Sequence, residues 1–95
     1  MTAPDHARRV RVVARGRVQG VFFRATCARE ARARGVAGWV RNRTDGAVEA
    51  AFEGPAEQVA ALVAWCGAGP EGARVDDLGV TEEEPVGDKG FRIDG

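Results

Sequence analysis

The sequence predicts an α+β sandwich in which four strands and a short fifth form one mixed sheet, with two helices on one face. Its length of 95 residues is enough for one hydrophobic core. Apolar residues alternate in several short stretches and follow helical spacing in two longer ones. The order of these stretches is β-α-β-β-α-β followed by a short strand, which is the split βαβ arrangement of ferredoxin-like folds.

The first strand is predicted at residues 8–15, where valines and an alanine alternate with arginines. The arginines are interpreted as a solvated face of the sheet. A helix is predicted at residues 22–34, because Phe23, Cys27 and Ala31 recur at four-residue spacing. Gly35 is a suitable C-terminal stop for it.

Residues 36–43 and 47–53 alternate as strands, and Thr44-Asp45-Gly46 between them is typical of a hairpin turn. Pro55 is expected at the first position of the second helix. The buried stripe of that helix is predicted to contain Val59, Leu62, Val63 and Cys66.

A fourth strand is predicted at residues 74–83. Val75 is out of phase with Leu78 and Val80, which indicates a bulge near Asp76-Asp77. Phe91 and Ile93 alternate in a short final strand.

Composition narrows the functional classes. The formal net charge is zero, whereas a general nucleic-acid binder shows a basic excess. No apolar stretch approaches the roughly 20 residues that span a bilayer, and the N-terminus lacks the apolar core of a signal peptide. We therefore expect a cytoplasmic protein with a flexible tail at residues 1–7 and a single domain at residues 8–95. Its two cysteines, Cys27 and Cys66, are expected in the core.

The connection between the first strand and first helix has the composition of an anion site. It reads Gly16-Arg17-Val18-Gln19-Gly20-Val21-Phe22-Phe23-Arg24. Glycines allow positive φ and let backbone N–H groups turn inward, and the start of a helix adds unpaired N–H groups and a positive dipole end. Arg24 falls in the first helical turn, where a guanidinium can hold two phosphate oxygens.

This stretch resembles the first signature of the acylphosphatase family at seven positions, which are Gly16, Val18, Gln19, Gly20, Val21, Phe23 and Arg24. In that family the loop amides and the arginine hold the phosphoryl group of the substrate. The resemblance thus implies that Arg24 is catalytic and that phosphate is bound by the loop residues Gly16, Arg17, Val18, Gln19, Gly20, Val21, Phe22 and Phe23.

A second resemblance involves Asn42. In a βαβ unit the ends of the first two strands lie at the same edge of the sheet, so Asn42 is expected near the loop. Gly38-Trp39-Val40-Arg41-Asn42, followed by Gly46, Val48 and Gly54, is similar to the second signature of the family. There the asparagine holds the attacking water, which implies a catalytic role for Asn42. Trp39 is interpreted as a packed sheet residue.

The resemblance covers residues 8–93 and implies hydrolysis of acyl phosphates to a carboxylate and inorganic phosphate. We expect no cofactor or metal, and a monomer that inorganic phosphate inhibits as the product. The zero net charge and the lack of a spanning stretch predict no nucleic-acid or membrane partner. Because a carboxylate leaves without protonation, positioning and charge stabilisation suffice. The less typical ending Asp94-Gly95 leaves the anchoring of the last strand open.

Three alternatives remain. The first is a catalytically silent anion-binding or regulatory module on the same fold. The second is an RNA-binding domain, although only Phe52 offers an aromatic ring on the third strand, in the inward phase. The third is a piece of a larger enzyme, because hydrogenase maturation factors resemble acylphosphatases at their N-termini. A metal site in the acidic run at residues 82–84 is disfavoured, because no histidine or cysteine accompanies it.

Overall fold

In the computed structural model, which describes residues 7–95, two helices pack against a five-stranded sheet. In chain order the elements are β1 (Ala7–Arg17), α1 (Phe23–Ala33), β2 (Ala37–Asn42), β3 (Val48–Pro55), α2 (Ala56–Ala68), β4 (Arg74–Glu83) and β5 (Phe91–Ile93). The order across the sheet is β4-β1-β3-β2-β5. Because β3 pairs antiparallel with both β1 and β2, β1 and β2 run parallel. The predicted ferredoxin-like sandwich is confirmed.

One apolar cluster joins the sheet to both helices. Val10, Val12 and Ala14 of β1 are buried, as is the α1 stripe of Phe23, Cys27 and Ala31. In α2, Val59, Leu62 and Cys66 are buried, and Val63 packs against the cluster. Cys27 and Cys66 are free thiols in the core, as predicted.

The predicted bulge in β4 is confirmed. Arg15 pairs with Asp77 while Gly16 pairs with Val75, so Asp76 has no opposite residue on β1. This extra residue corrects the phase of β4, and Val75 and Leu78 both pack against the core.

Several predicted boundaries were wrong by one or two residues. β1 continues through Arg17, because Gly16 and Arg17 still pair with β4. Pro55 is the N-cap of α2 with an extended ψ of 136°, one residue before the first helical position. Ala7 pairs with Pro55 and so belongs to β1; the rest of the predicted tail, including His6, lies outside the described residues.

The sheet face opposite the helices is called here the open face; it carries Arg9, Arg11, Trp39, Arg41, Glu49, Glu53 and Glu83. The prediction that the arginines of β1 form a solvated face holds for Arg11 and Arg15, which are exposed, and was wrong for Arg9. Arg9 retains 8% of its accessible surface, and the carboxylates of Glu49 and Glu53 are likewise buried. The cause is pairing across strands, since Arg9 bonds Glu53, and residues 86–88 cover Glu53 with backbone N–H groups.

Between residues 7 and 95, neither helix has the length and apolarity needed to cross a bilayer.

Candidate active site

A cavity of about 330 Å³ lies where β1 and β2 end and α1 begins. We call it the anion pocket. Its lining residues are Val18, Gly20, Phe22, Phe23, Arg24, Ala25, Asn42 and Ile93. The sequence-predicted pair Arg24 and Asn42 therefore lines one cavity, although 18 positions separate them in the chain.

The loop that enters α1 turns through two left-handed positions. Gly20 has φ 75°, and Phe22, the N-cap of α1, has φ 62°. Phe22 supplies no side-chain cap, so the first N–H groups of α1 have no intrahelical acceptor. No acidic residue lies in the first turn to neutralise the helix dipole. This end of the pocket therefore attracts an anion.

Arg24 adds a cation to this helix end. Its guanidinium Nη1 donates a hydrogen bond to the backbone oxygen of Gly95. Within residues 7–95 no side-chain carboxylate lies in ion-pair distance of Arg24. The guanidinium is thus held at the pocket by a backbone oxygen and not by a side-chain ion pair.

Asn42 enters the pocket from the end of β2. It pairs with Val48, a buried residue of the helix-covered face, and opposite residues of a pair share one face. The side chain of Asn42 therefore lies on the side of the sheet from which α1 starts. Its backbone N–H is 3.3 Å from the Gly95 oxygen that also accepts from Arg24. The two residues thus meet at one backbone acceptor.

Gln19 connects the loop to the β2–β3 hairpin. Its side-chain Nε2 donates to the carbonyl oxygens of Arg43, at 2.8 Å, and Ala47, at 3.0 Å. Arg43 directly follows Asn42, so this pair of hydrogen bonds fixes the asparagine-bearing strand end relative to the loop. Only the backbone N–H of Gln19 is left for an anion.

The nine-residue motif divides into two parts. Gly16 and Arg17 belong to β1, and a Cβ on Gly16 would lie 2.3 Å from the carbonyl oxygen of Arg74. This glycine is required by the close approach of β4. Val21 packs against the core. The pocket itself is lined by Val18, Gly20, Phe22, Phe23 and Arg24.

Sequence reasoning missed Ile93, Ala25 and the contact made by Gly95. β5 pairs parallel with β2, with Ile93 opposite Val40, so β5 ends at the same edge as β2. Asp94 N–H donates to Val40 at 2.8 Å, which settles the anchoring of the last strand. Sequence reasoning did not place β5 next to β2 in the sheet. Because β5 does pair with β2, Ile93 lies near the pocket.

Trp39 lies on the open face, and the guanidinium carbon of Arg41 is 5.5 Å from its ring centroid. It does not line the anion pocket, in keeping with its prediction as a packed sheet residue. Among residues 7–95, no three side chains of histidine, cysteine, aspartate or glutamate are grouped to hold a metal ion.

An uncapped helix end, a guanidinium with no side-chain carboxylate partner between residues 7 and 95, and an amide side chain at a neighbouring strand end form an arrangement suited to a phosphate-type anion. The acylphosphatase family model matches residues 10–93. An acylphosphatase of Anaeromyxobacter dehalogenans is 56% identical over 82 residues, which are 86% of this chain and 88% of that protein. The chain belongs to the acylphosphatase family.

Solved structures agree. The crystal structure of acylphosphatase from Bacillus subtilis superposes with a TM-score of 0.88 at 39% identity, covering 93% of this chain and 99% of that one. An acylphosphatase from Coxiella burnetii gives 0.85 at 32% identity, with 95% of each chain covered.

Proposed function

We propose that the protein hydrolyses the carboxyl–phosphate bond of acyl phosphates without a metal ion. The observation that carries the proposal is the convergence of Arg24 and Asn42 on one cavity beside the uncapped start of α1. The phosphoryl oxygens lie against the loop and first-turn N–H groups and the guanidinium of Arg24. The amide of Asn42 holds a water opposite the leaving group.

The reaction balances with these groups alone. The water oxygen forms a bond to phosphorus, the bond from phosphorus to the acyl oxygen breaks, and its electron pair leaves as a carboxylate. The water's second proton is released to the phosphate product or to solvent. Because the transition state of phosphoryl transfer is loose, its charge is spread over the equatorial oxygens, which the N–H groups and Arg24 stabilise.

The absence of an acid among the pocket's lining residues fits this leaving group. A carboxylate leaves unprotonated at neutral pH, since its conjugate acid has a pKa near 4. An alkoxide requires a proton. The pocket therefore suits mixed anhydrides and not alkyl phosphate monoesters.

Turnover of acetyl phosphate in the presence of excess chelator tests the proposal. We expect hydrolysis to continue unchanged, and turnover of an alkyl monoester to be lower by orders of magnitude. Activity that disappears with chelator and returns with magnesium would contradict the metal-free mechanism. Phosphate binding without turnover would instead indicate the silent anion-binding module.

The remaining functional assignments follow from the same site. We infer a monomer working in the cytoplasm on small-molecule acyl phosphates, with inorganic phosphate as product and inhibitor. The whole proposed site comes from one chain, so no second copy is needed to complete it.

A further inference from the structure

Phe22 combines two unfavourable features at the mouth of the anion pocket. It has φ 62°, and it is the one non-glycine residue with positive φ between residues 7 and 95. The residue is 82% exposed. A left-handed backbone is disfavoured for a bulky L-residue, and an exposed aromatic ring gives no packing energy. Such features persist where they serve a function.

The ring of Phe22 is part of an apolar wall. Ile93, which is 44% exposed, also lines the pocket, together with Val18, Phe23 and Ala25. The polar side chains that line it are those of Arg24 and Asn42. A phosphoryl dianion is satisfied by the polar groups and loses hydration against apolar ones. The apolar wall therefore faces another part of the substrate.

The volume of the pocket also indicates that it holds more of the substrate than the phosphoryl group. Its volume is about 330 Å³, whereas a phosphoryl group with four oxygens takes the room of about five waters, or ~150 Å³. About half of the cavity is left for the group attached to the phosphate. In an acyl phosphate that group is the acyl chain.

On the basis of the proposed function, we propose that the side chains of Phe22 and Ile93 form an apolar lip that contacts the acyl group and selects acyl phosphates with an aromatic or large apolar acyl part. Aromatic rings stack on, or meet edge-on, an exposed ring such as that of Phe22. A short acyl group such as acetyl is too small to contact both side chains of the lip.

The test compares the specificity ratio, defined as kcat/KM for benzoyl phosphate divided by kcat/KM for acetyl phosphate, in the parent and in Phe22→Ala. We expect the ratio to fall about tenfold, a change equivalent to ~1.4 kcal/mol. Phe22→Trp keeps an aromatic ring and should keep the ratio. Val86→Ala is the matched control, because Val86 is also an exposed apolar side chain, at 68%, and does not line the pocket.

A binding measurement tests the contact with the apolar lip without any hydrolysis. Phenylphosphonate should protect the parent against thermal unfolding more than methylphosphonate does, and Phe22→Ala should abolish that difference. A parent that hydrolyses both acyl phosphates, with a ratio unchanged in Phe22→Ala, would overturn the lip alone. A parent that hydrolyses neither would overturn the proposed function. Equal protection of the parent by the two phosphonates would also overturn the lip.

Phe22→Gly adds a check on the backbone. Glycine adopts positive φ freely, so this variant should unfold at a higher temperature than Phe22→Ala while showing the same fall in ratio. A specificity ratio restored in Phe22→Gly would contradict the lip, because neither variant has a ring.

Discussion

The anion pocket and the open face of the sheet both contain arginines, but their surroundings differ. On the open face, Arg9 contacts three carboxylates, and Arg41 donates to Glu49 at 2.7 Å. In the pocket, Arg24 donates to the backbone oxygen of Gly95. Arg9 and Arg41 are thus matched by carboxylates of the fold, whereas among the described residues no side-chain carboxylate pairs with Arg24.

The two regions also differ in backbone geometry. The open face consists of regular paired strands, with Glu49 and Glu53 buried below 7% exposure. The pocket is formed by a loop with an exposed, left-handed Phe22. Under the proposed function, the open face contributes stability and the pocket contributes chemistry, so substitutions in the two regions should affect different measurements.

The largest expected effect on activity comes from Arg24→Lys. Lysine keeps the charge but lacks the planar fork that holds two phosphoryl oxygens. We expect kcat/KM for an acyl phosphate to fall about 10³-fold, or ~4 kcal/mol of transition-state stabilisation, with the midpoint of thermal unfolding nearly unchanged. Arg41→Lys on the open face is the matched control and should keep the activity. Near-normal turnover by Arg24→Lys would remove this arginine from the site.

The largest expected effect on stability comes from Glu53→Gln. Glu53 accepts hydrogen bonds from Arg9 and from the backbone N–H groups of Val86, Gly87 and Asp88. Removing one charge of a buried pair costs about 3–5 kcal/mol of unfolding free energy. Urea unfolding at neutral pH measures it, and kcat/KM below the transition should stay normal.

Glu82→Gln is the control for that substitution, since Glu82 pairs with Arg8 in an exposed position, at 62% and 34% side-chain exposure. Its loss should change the free energy of unfolding by about 0–1 kcal/mol. If Glu53→Gln and Glu82→Gln lost equal free energies of unfolding, the burial of the Glu53 pair would not account for its contribution to stability.

A smaller, pH-dependent effect follows from the same carboxylates. Burial acts to raise the pKa of Glu49, but hydrogen bonds from Arg41 and Arg11 outweigh it, and the pKa lies below its usual value. Burial also acts to raise the pKa of Glu53. Hydrogen bonds from the backbone N–H of Val86 and from Arg9 outweigh it, so this pKa is lowered too. Each carboxylate binds a proton more weakly when folded than when unfolded.

Both therefore contribute stability that is fully present above the unfolded pKa of about 4.3 and is lost as the pH falls through the lowered folded values. Urea unfolding between pH 7 and pH 3 should give a decreasing free energy of unfolding at the acid end. In Glu53→Gln the decrease should be shallower. An equally steep decrease in that variant would remove Glu53 as a source of the acid sensitivity.

The smallest effect on activity is expected at Gln19, which acts as a positioning residue. Gln19→Leu removes two hydrogen bonds to the hairpin, each worth about 0.5–1.5 kcal/mol. We expect kcat to fall about tenfold through misplacement of Asn42, while the Kd for inorganic phosphate changes less than about twofold. Gln58→Leu is the control, because Gln58 bonds only to Arg34 on the surface among the described residues. Equal changes in kcat and phosphate affinity would assign Gln19 a merely structural role.

Much of the fold, and the meeting of Arg24 and Asn42 at one edge of the sheet, could be predicted from the sequence. The alternation of β1, the stripes of both helices and the out-of-phase Val75 predicted the sheet, the core and the bulge because they depend on local periodicity. Arg24 and Asn42 were placed at one edge by the direction of β1 and β2. The open-face network could not be predicted, because it depends on which residues face each other across strands. Arg9, for example, meets Glu53 from 44 positions away.

The loop at residues 16–24 was also only partly predictable from the sequence. The motif predicted an anion site but not which of its residues face the cavity. That depends on Gly16 and Arg17 continuing β1 against β4 and on Gln19 turning its side chain to the hairpin. The left-handed φ of Phe22 has no local signal, since phenylalanine is uncommon in that conformation.

The division of work inside the pocket is tested most directly with Asn42→Ala. If Arg24 and the N–H groups bind the phosphoryl group while Asn42 orients the water, the substitution acts mainly on the transition state. Turnover should then fall about 10²–10³-fold, or roughly 2.7–4 kcal/mol, while inorganic phosphate still protects the variant against thermal unfolding as it does the parent. Loss of that protection, or turnover close to that of the parent, would contradict this assignment.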